Sequence, residues 1–255
     1  MRFASLGSGS EGNALVVEAG NSRVLLDCGF SATETVRRLG RLGLEPEAIN
    51  AVLVTHEHDD HVGGADRFAR RFGIPVYLSH GTREAAAGGG GVFAGAMIID
   101  SHAPFAVGDI EIFPYPVPHD AREPTQFVFG DGARRLGVLT DAGSSTPHIE
   151  QMLSGLDALV IECNHDRDLL LGGNYPERLK QRIAGRYGHL DNGQAAGILA
   201  AIEKGSLQHV VAAHLSQRNN RPELACAALA GALGCTEGWI GVATQAEGFG
   251  WRQIA

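Results

Sequence analysis

The run Thr55-His56-Glu57-His58-Asp59-Asp60-His61 constrains this chain more than any other segment. It follows Ala51–Thr55, which reads as a short buried strand. Three imidazoles and several carboxylates are crowded into one loop. That density is costly unless positive charge sits among them, and a pair of divalent metal ions is the simplest source of it. An HExxH zinc protease needs histidine at position 60, where this chain has Asp60, so that motif is excluded.

Three further segments supply matching ligands, in order along the chain. They are His119 in Val117-Pro118-His119-Asp120, Asp141 in Leu139-Thr140-Asp141-Ala142-Gly143, and His214 in Ala212-Ala213-His214-Leu215-Ser216. Each follows an apolar, strand-like stretch, so strand ends converging on one rim would gather five histidines and two aspartates. Neutral imidazole holds Zn²⁺ or Mn²⁺ without adding charge, while carboxylates balance and bridge the ions. His56 and His58, at alternate positions of an extended loop, point one way; Asp60 and His61 reach a second ion. Taken singly, His119 or His214 reads as an ordinary histidine and Asp141 as a turn residue. Taken as an ordered set at strand ends, they read as a metal site.

The other features bound the class. With 255 residues, 44% of them hydrophobic, the chain is long enough for a large core. A net charge of −8 excludes nucleic-acid binding by global charge, so any such contact needs a local patch or metal ions. Cys28, Cys163, Cys226 and Cys235 form no CxxC pair and read as reduced core residues of a cytoplasmic protein. The N-terminus has no signal-peptide core, and no apolar run is long enough to span a membrane.

Strands and helices alternate. Arg2–Leu6, Ala14–Glu18 and Arg23–Asp27 read as an opening meander, and Ser31 with Glu34 as a capping box for a helix. Asp66–Phe72 reads as helix. Ile110–Pro114, Gln126–Phe129, Leu136–Thr140, Asp157–Glu162 and His209–Ala213 read as strands. Helices are predicted near Pro176, from Asn192 behind an Asp191/Gln194 capping box, and over Pro222–Leu233, with closing strands near Ile240 and Phe249. Gly88–Gly91 reads as a surface loop. Residues 1–255 are expected to form one domain.

The ordered ligand set resembles the metallo-β-lactamase-fold hydrolases, over nearly the whole chain. The resemblance implies an α/β fold, a four-layer αββα sandwich with two metal ions at the sheet edges. It implies that His56, His58 and His119 hold the first ion, that Asp60, His61 and His214 hold the second, and that Asp141 bridges them. The start Leu6-Gly7-Ser8-Gly9-Ser10-Glu11-Gly12-Asn13 narrows the branch. So do Glu162-Cys163-Asn164-His165-Asp166, Gly173-Asn174-Tyr175-Pro176, Leu179-Lys180-Gln181-Arg182-Ile183 and Gly188-His189-Leu190-Asp191-Asn192. Together they resemble the YycJ/WalJ family, which implies a 5′→3′ exonuclease acting on duplex DNA. The same stretch is similar to ribonuclease Z, which implies that Glu162 supports His189 beside the scissile phosphate.

The expected reaction is phosphodiester hydrolysis by a metal-bridging hydroxide, with Asp60 orienting the nucleophile and His189, backed by Glu162, protonating the leaving oxygen. Arg178, Lys180, Arg182 and Arg186 beside His189, and Arg218 and Arg221 after His214, offer a local strip for phosphates. Asn219 and Asn220 are candidate contacts to phosphate or sugar oxygen. Asp191 departs from the family pattern, where a small hydroxyl residue is usual; a carboxylate there caps the helix but repels phosphate. The competing readings on the same ligands are a thioesterase of the glyoxalase II kind and a small-molecule phosphodiesterase. The Glu162/His189 pair favours a phosphodiester, and the resemblance favours DNA as the nucleic-acid partner. The choice of zinc or manganese and the oligomeric state stay open.

Overall fold

A computed structural model describes residues 1–88, 93 and 95–255. The first sheet contains β1 (Arg2–Gly7), β2 (Ala14–Ala19), β3 (Ser22–Leu26), β4 (Ala51–Leu53), β5 (Val76–Ser79) and β6 (Met97–Ile99). The second contains β7 (Phe105–Val107), β8 (Ile110–Pro116), β9 (Thr125–Gly130), β10 (Arg135–Leu139), β11 (Ala158–Glu162), β12 (His209–Ala213) and β13 (Gly241–Val242). The last strand, β14 (Phe249–Gln253), returns to pair with β1, giving the orders β14-β1-β2-β3-β4-β5-β6 and β13-β12-β11-β10-β9-β8-β7.

Each sheet is half antiparallel and half parallel, and each half follows from its connections. The β1–β2–β3 meander and the β7–β8–β9–β10 meander turn on short loops. The parallel pairs β3–β4, β4–β5, β5–β6, β10–β11, β11–β12 and β12–β13 need helical crossovers. These are α1 (Ala32–Arg41), α2 (Asp59–Val62), α3 (Ala65–Phe72) and α4 (His80–Gly88) on the first sheet. On the second they are α5 (Pro147–Met152), α6 (Arg167–Gly172), α7 (Glu177–Ile183), α8 (Asn192–Ala201) and α9 (Pro222–Leu233). Parallel strands are covered on both faces, so β4 and β11 are buried throughout and read as continuous apolar runs.

Three apolar clusters define four layers. Phe3, Val17, Leu26 and Leu53 of the first sheet meet Ile112, Phe127, Phe129 and Val160 of the second. Leu39 and Phe68 pack α1 and α3 on the outer face of the first sheet; Ile198, Leu199 and Leu229 pack α8 and α9 on the second. Each large apolar side chain so buried stabilises the fold by about 1.5–3 kcal/mol before entropy. This is the αββα sandwich that the resemblance to the metallo-β-lactamase-fold hydrolases implies. Tyr115, fully buried, donates its hydroxyl to Val138 O at 2.6 Å, as a buried phenol requires.

The element boundaries have visible causes. Ser31 caps α1 by accepting from Glu34 N, but Glu34 turns away to Arg37 and Arg38, so the predicted reciprocal box is only half made. The Asp191/Gln194 box at α8 is complete. Pro222 begins α9, and Gly234, left-handed at φ 68°, ends it. Cys28, Cys163 and Cys226 are buried thiols as expected, whereas Cys235, just beyond α9, is exposed. Of the glycine run read as a loop, Gly88 is the exposed end of α4 and the remainder lies outside the described residues. Among the described residues no helix is long and apolar enough to cross a membrane.

Strand direction fixes the site. β1, β3, β4, β8, β10, β11 and β12 all run the same way within their sheets, so their C-terminal ends share one rim. Loops leaving such ends are where side chains from distant segments converge.

Candidate metal centre

Three strands end in the left-handed region at non-glycine residues: Asp27 (φ 59°) after β3, Asp141 (φ 52°) after β10 and His214 (φ 54°) after β12. Such residues cost about 1–3 kcal/mol each and cluster where a side chain must be aimed. His56 and His58 follow β4, His58 in extended backbone, and the single turn of α2 carries Asp60 and His61. This loop is locked from behind: Asn13 N donates to Asp60 O at 2.7 Å and Cys28 N to His61 O at 2.8 Å. The approach is so close that a Cβ on Gly29 would collide with Asp60 O, and one on Gly64 with Phe30 O.

The seven predicted ligands are brought together as two triads. In the first, His58 Nδ1 lies 3.0 Å from His56 Nε2 and 3.2 Å from His119 Nε2. In the second, Asp60 Oδ2 lies 3.4 Å from His61 Nε2 and 3.3 Å from His214 Nε2. Asp141 stands between them, with Oδ2 3.0 Å from His61 Nε2 and Oδ1 3.6 Å from His214 Nε2 and 4.0 Å from His119 Nε2.

The outer nitrogen of four imidazoles faces a group that can only accept, or is best placed to accept, and this fixes the tautomers. His61 Nδ1–H donates to Asp27 Oδ2 at 2.8 Å, and His119 Nδ1–H to the carbonyl of Gly188 at 3.0 Å. His214 Nδ1–H faces Glu162 Oε1 at 3.3 Å. The Thr55 hydroxyl donates to Asp27, leaving its oxygen to accept from His56 Nδ1–H at 2.9 Å. In the neutral rings the inner nitrogens therefore present lone pairs to one another and to Asp141. Asp141 Oδ2 is buried and, among the described residues, accepts no hydrogen bond. Lone pairs converging at 3–4 Å on an unsatisfied carboxylate oxygen repel unless a cation sits among them, and an outer hydrogen bond on each imidazole is the usual support of a metal-binding histidine. The residues fit divalent metal ions.

Their electrostatics carry the same demand. Burial holds His56 and His119 below the ordinary imidazole value. Burial also acts downward on His61, His214 and His189, but the carboxylates win: Asp141 first for His61 and His214, Glu162 first for His189. His214 rises to about 10. Burial would raise the acids, yet the His61 charge holds Asp60, and the His214 charge holds Asp141, below the usual carboxylate range. Without metal, protons on histidines supply the positive charge.

Beside the triads stands the predicted pair. Glu162, fully buried, ends β11 and receives His189 Nδ1–H at 2.8 Å on Oε1. Its Oε2 accepts from Ala142 N at 2.9 Å and Leu190 N at 3.2 Å. Against burial, the charge and hydrogen bond of His189 draw its carboxyl down to about 2. Among the described residues His189 Nε2 makes no hydrogen bond, and the side chain keeps 22% exposure toward the cleft.

Other readings are corrected. Asn219 and Asn220 are 4% and 7% exposed; the Asn219 backbone carbonyl accepts from Asp166 N at 2.8 Å and the Asn220 side chain is spent on Asn192 and the carbonyl of Cys163, so both hold loops together rather than face substrate. The Asp191 carboxylate accepts from Gln194 N at 2.7 Å, the cap of α8 that the sequence predicts. Sequence reasoning missed Asp27, Thr55 and Asn13 as supports. Asn13 Nδ2 lies 3.2 Å from Asp60 Oδ2 and 3.1 Å from His61 Nε2. Their signal was present in the position of Asp27 at a strand end and of Asn13 closing the glycine-rich turn.

The Beta-lactamase superfamily domain profile matches residues 22–214. The chain belongs to that superfamily and is a hydrolase of the metallo-β-lactamase fold. It is 35% identical to exodeoxyribonuclease YycJ of Bacillus anthracis over 88% of this chain and 86% of that protein. It is 31% identical to exodeoxyribonuclease WalJ of Streptococcus pneumoniae over 94% of this chain and 91% of that protein. Its place within the superfamily is the YycJ/WalJ branch. The metallo-β-lactamase fold protein YhfI from Bacillus subtilis superposes with a TM-score of 0.75 over 98% of both chains at 16% identity, a likeness of fold.

Proposed function

We propose that residues 1–255 form one dinuclear metal-dependent phosphodiesterase domain that degrades duplex DNA from the 5′ end. The observation that carries this reading is the pairing of two ligand triads, joined by Asp141, with a Glu162–His189 dyad on the same rim. The relatives named exodeoxyribonuclease, which match most of the chain, support DNA as the substrate.

His56, His58 and His119 would hold one divalent ion, zinc or manganese; Asp60, His61 and His214 would hold the other, with Asp141 serving both. Bound there, the ions supply Lewis acidity, which eases deprotonation of water and offsets negative charge on phosphoryl oxygens. The protein does the rest. The Asp60 carboxylate accepts a hydrogen bond from the attacking water and orients it toward phosphorus. His189 is held protonated by Glu162, and its Nε2–H donates to the leaving oxygen. Glu162 fixes the ring by its Oε1 while two backbone N–H groups fix Oε2, so the donor is aimed before substrate arrives.

The test is hydrolysis of 5′-labelled duplex DNA by protein loaded with Mn²⁺ or Zn²⁺, beside the His58→Ala variant. Release of short 5′ products by wild type alone is expected. Metal-loaded protein that leaves duplex DNA, single-stranded DNA and RNA intact, while hydrolysing a small phosphodiester or a thioester, would overturn it.

A further inference from the structure

We propose that Arg182, held in place by Asp120, is a clamp for the substrate-strand phosphate adjacent to the scissile one. The inference rests on the phosphodiesterase reading and names a binding residue for it.

Asp120 follows the ligand His119 directly and leans over the open face of the first triad. Its Oδ1 lies 3.5 Å from His119 Nε2 and 4.0 Å from His58 Nε2. Alone, a carboxylate there would repel an incoming phosphate. It is not alone: Arg182 Nε donates to Asp120 Oδ2 at 2.6 Å. That contact spans 62 residues of sequence and ties α7 to the loop after β8. It uses only the Nε of the guanidinium. Among the described residues the two terminal nitrogens of Arg182 make no hydrogen bond, and the side chain is 61% exposed.

The result is a neutralised acid carrying a planar, pre-oriented pair of N–H donors at the mouth of the site. A guanidinium matches phosphate oxygens in two-point geometry, and fixing one of its edges beforehand lowers the ordering cost of using the other. Asp120 stands between the triad and Arg182, so the guanidinium lies one carboxylate beyond the metal ligands. A phosphate neighbouring the scissile one reaches that distance. Arg178 precedes Arg182 by four residues in α7 and is likewise exposed, so it lies on the same helical face and continues the strip outward. On a chain of net charge −8, a row anchored to the site gives the local attraction that the whole molecule lacks.

The experiment measures binding of a fluorescein-labelled duplex to metal-stripped protein by anisotropy across a salt series, with KM and kcat measured separately on loaded protein. Removing one phosphate contact lowers the slope of log K against log salt by about 0.9. Arg182→Gln is expected to show that loss, with about tenfold weaker binding and a raised KM. Arg182→Lys should recover the slope but only part of the affinity. Asp120→Asn should weaken binding, and the double variant should be no weaker than Arg182→Gln alone, because Asp120 acts through Arg182. Arg71→Gln, on the exposed side of α3, is the control for general charge. An unchanged slope in Arg182→Gln, with wild type binding and cutting duplex DNA, overturns the clamp and leaves the nuclease reading standing. Wild type that neither binds nor cuts DNA removes both.

Discussion

Replacing Glu162 by glutamine tests how the site is held, because a buried amide cannot satisfy both sides of this residue. Oε1 accepts from His189 Nδ1 at 2.8 Å and faces His214 Nδ1 at 3.3 Å; Oε2 accepts from the backbone N–H groups of Ala142 and Leu190. A glutamine has one oxygen and one NH₂. Backbone donors cannot change character, and leaving them unmatched costs about 1–3 kcal/mol each. The amide oxygen will therefore stay with the backbone, and the NH₂ will face the two Nδ1 atoms. Both rings must then move their proton to Nε2. For His214, Nε2 is the atom that faces Asp60 and Asp141, so the tautomer change blocks the second triad. Loss of a supporting hydrogen bond of this kind lowers metal affinity by about 10–100-fold. His189 loses the carboxylate that keeps it charged, adding about 10²–10⁴-fold in turnover. Chelator-competition titration measures the first effect and saturating-metal kinetics the second. Wild-type metal affinity in Glu162→Gln would refute the tautomer argument.

Other perturbations separate the parts. His58→Ala should remove metal from the first triad and abolish activity, read by metal content and cleavage together. His189→Asn should keep wild-type metal content while turnover falls about 10²–10⁴-fold; unchanged turnover would end its role as proton donor. Gly29→Ala should destabilise the fold by about 1–3 kcal/mol in denaturant melts, because its Cβ meets the backbone of Asp60 and must displace the ligand loop. In chelator-treated protein the raised His214 contributes stability that is complete below pH 6.5 and is lost as pH rises toward about 10. The depressed Glu162 contributes stability that is complete above pH 4.5 and lost as pH falls toward about 2. Melting temperature against pH should therefore fall on both sides. Metal-loaded protein, whose ligand imidazoles must be neutral, should lose the alkaline limb.

The site was legible where chemistry is written in contiguous residues. His56, His58, Asp60 and His61 announce themselves by spacing, and His119, Asp141 and His214 by following apolar strands. Asp27, Asn13 and Asp120 escaped because each is one common residue, and its partner lies 34, 48 or 62 positions away. Only strand order brings them together. In the fold, β12 and α9 match their predicted bounds because proline, glycine and the apolar run punctuate them. The short strands β5, β6 and β7 carry too few residues to show a period, and Met97 and Ile98 of β6 are exposed besides. Asn219 and Asn220 misled because an asparagine that closes a loop and one that binds a phosphate look alike in sequence.

The most direct test of the central claim is cleavage of 5′-labelled duplex DNA as metal is returned, equivalent by equivalent, to chelator-stripped protein. The account predicts no cleavage without metal, and release of short 5′ products that saturates at two ions per chain. Cleavage by stripped protein, or intact duplex once two ions are bound, would contradict it.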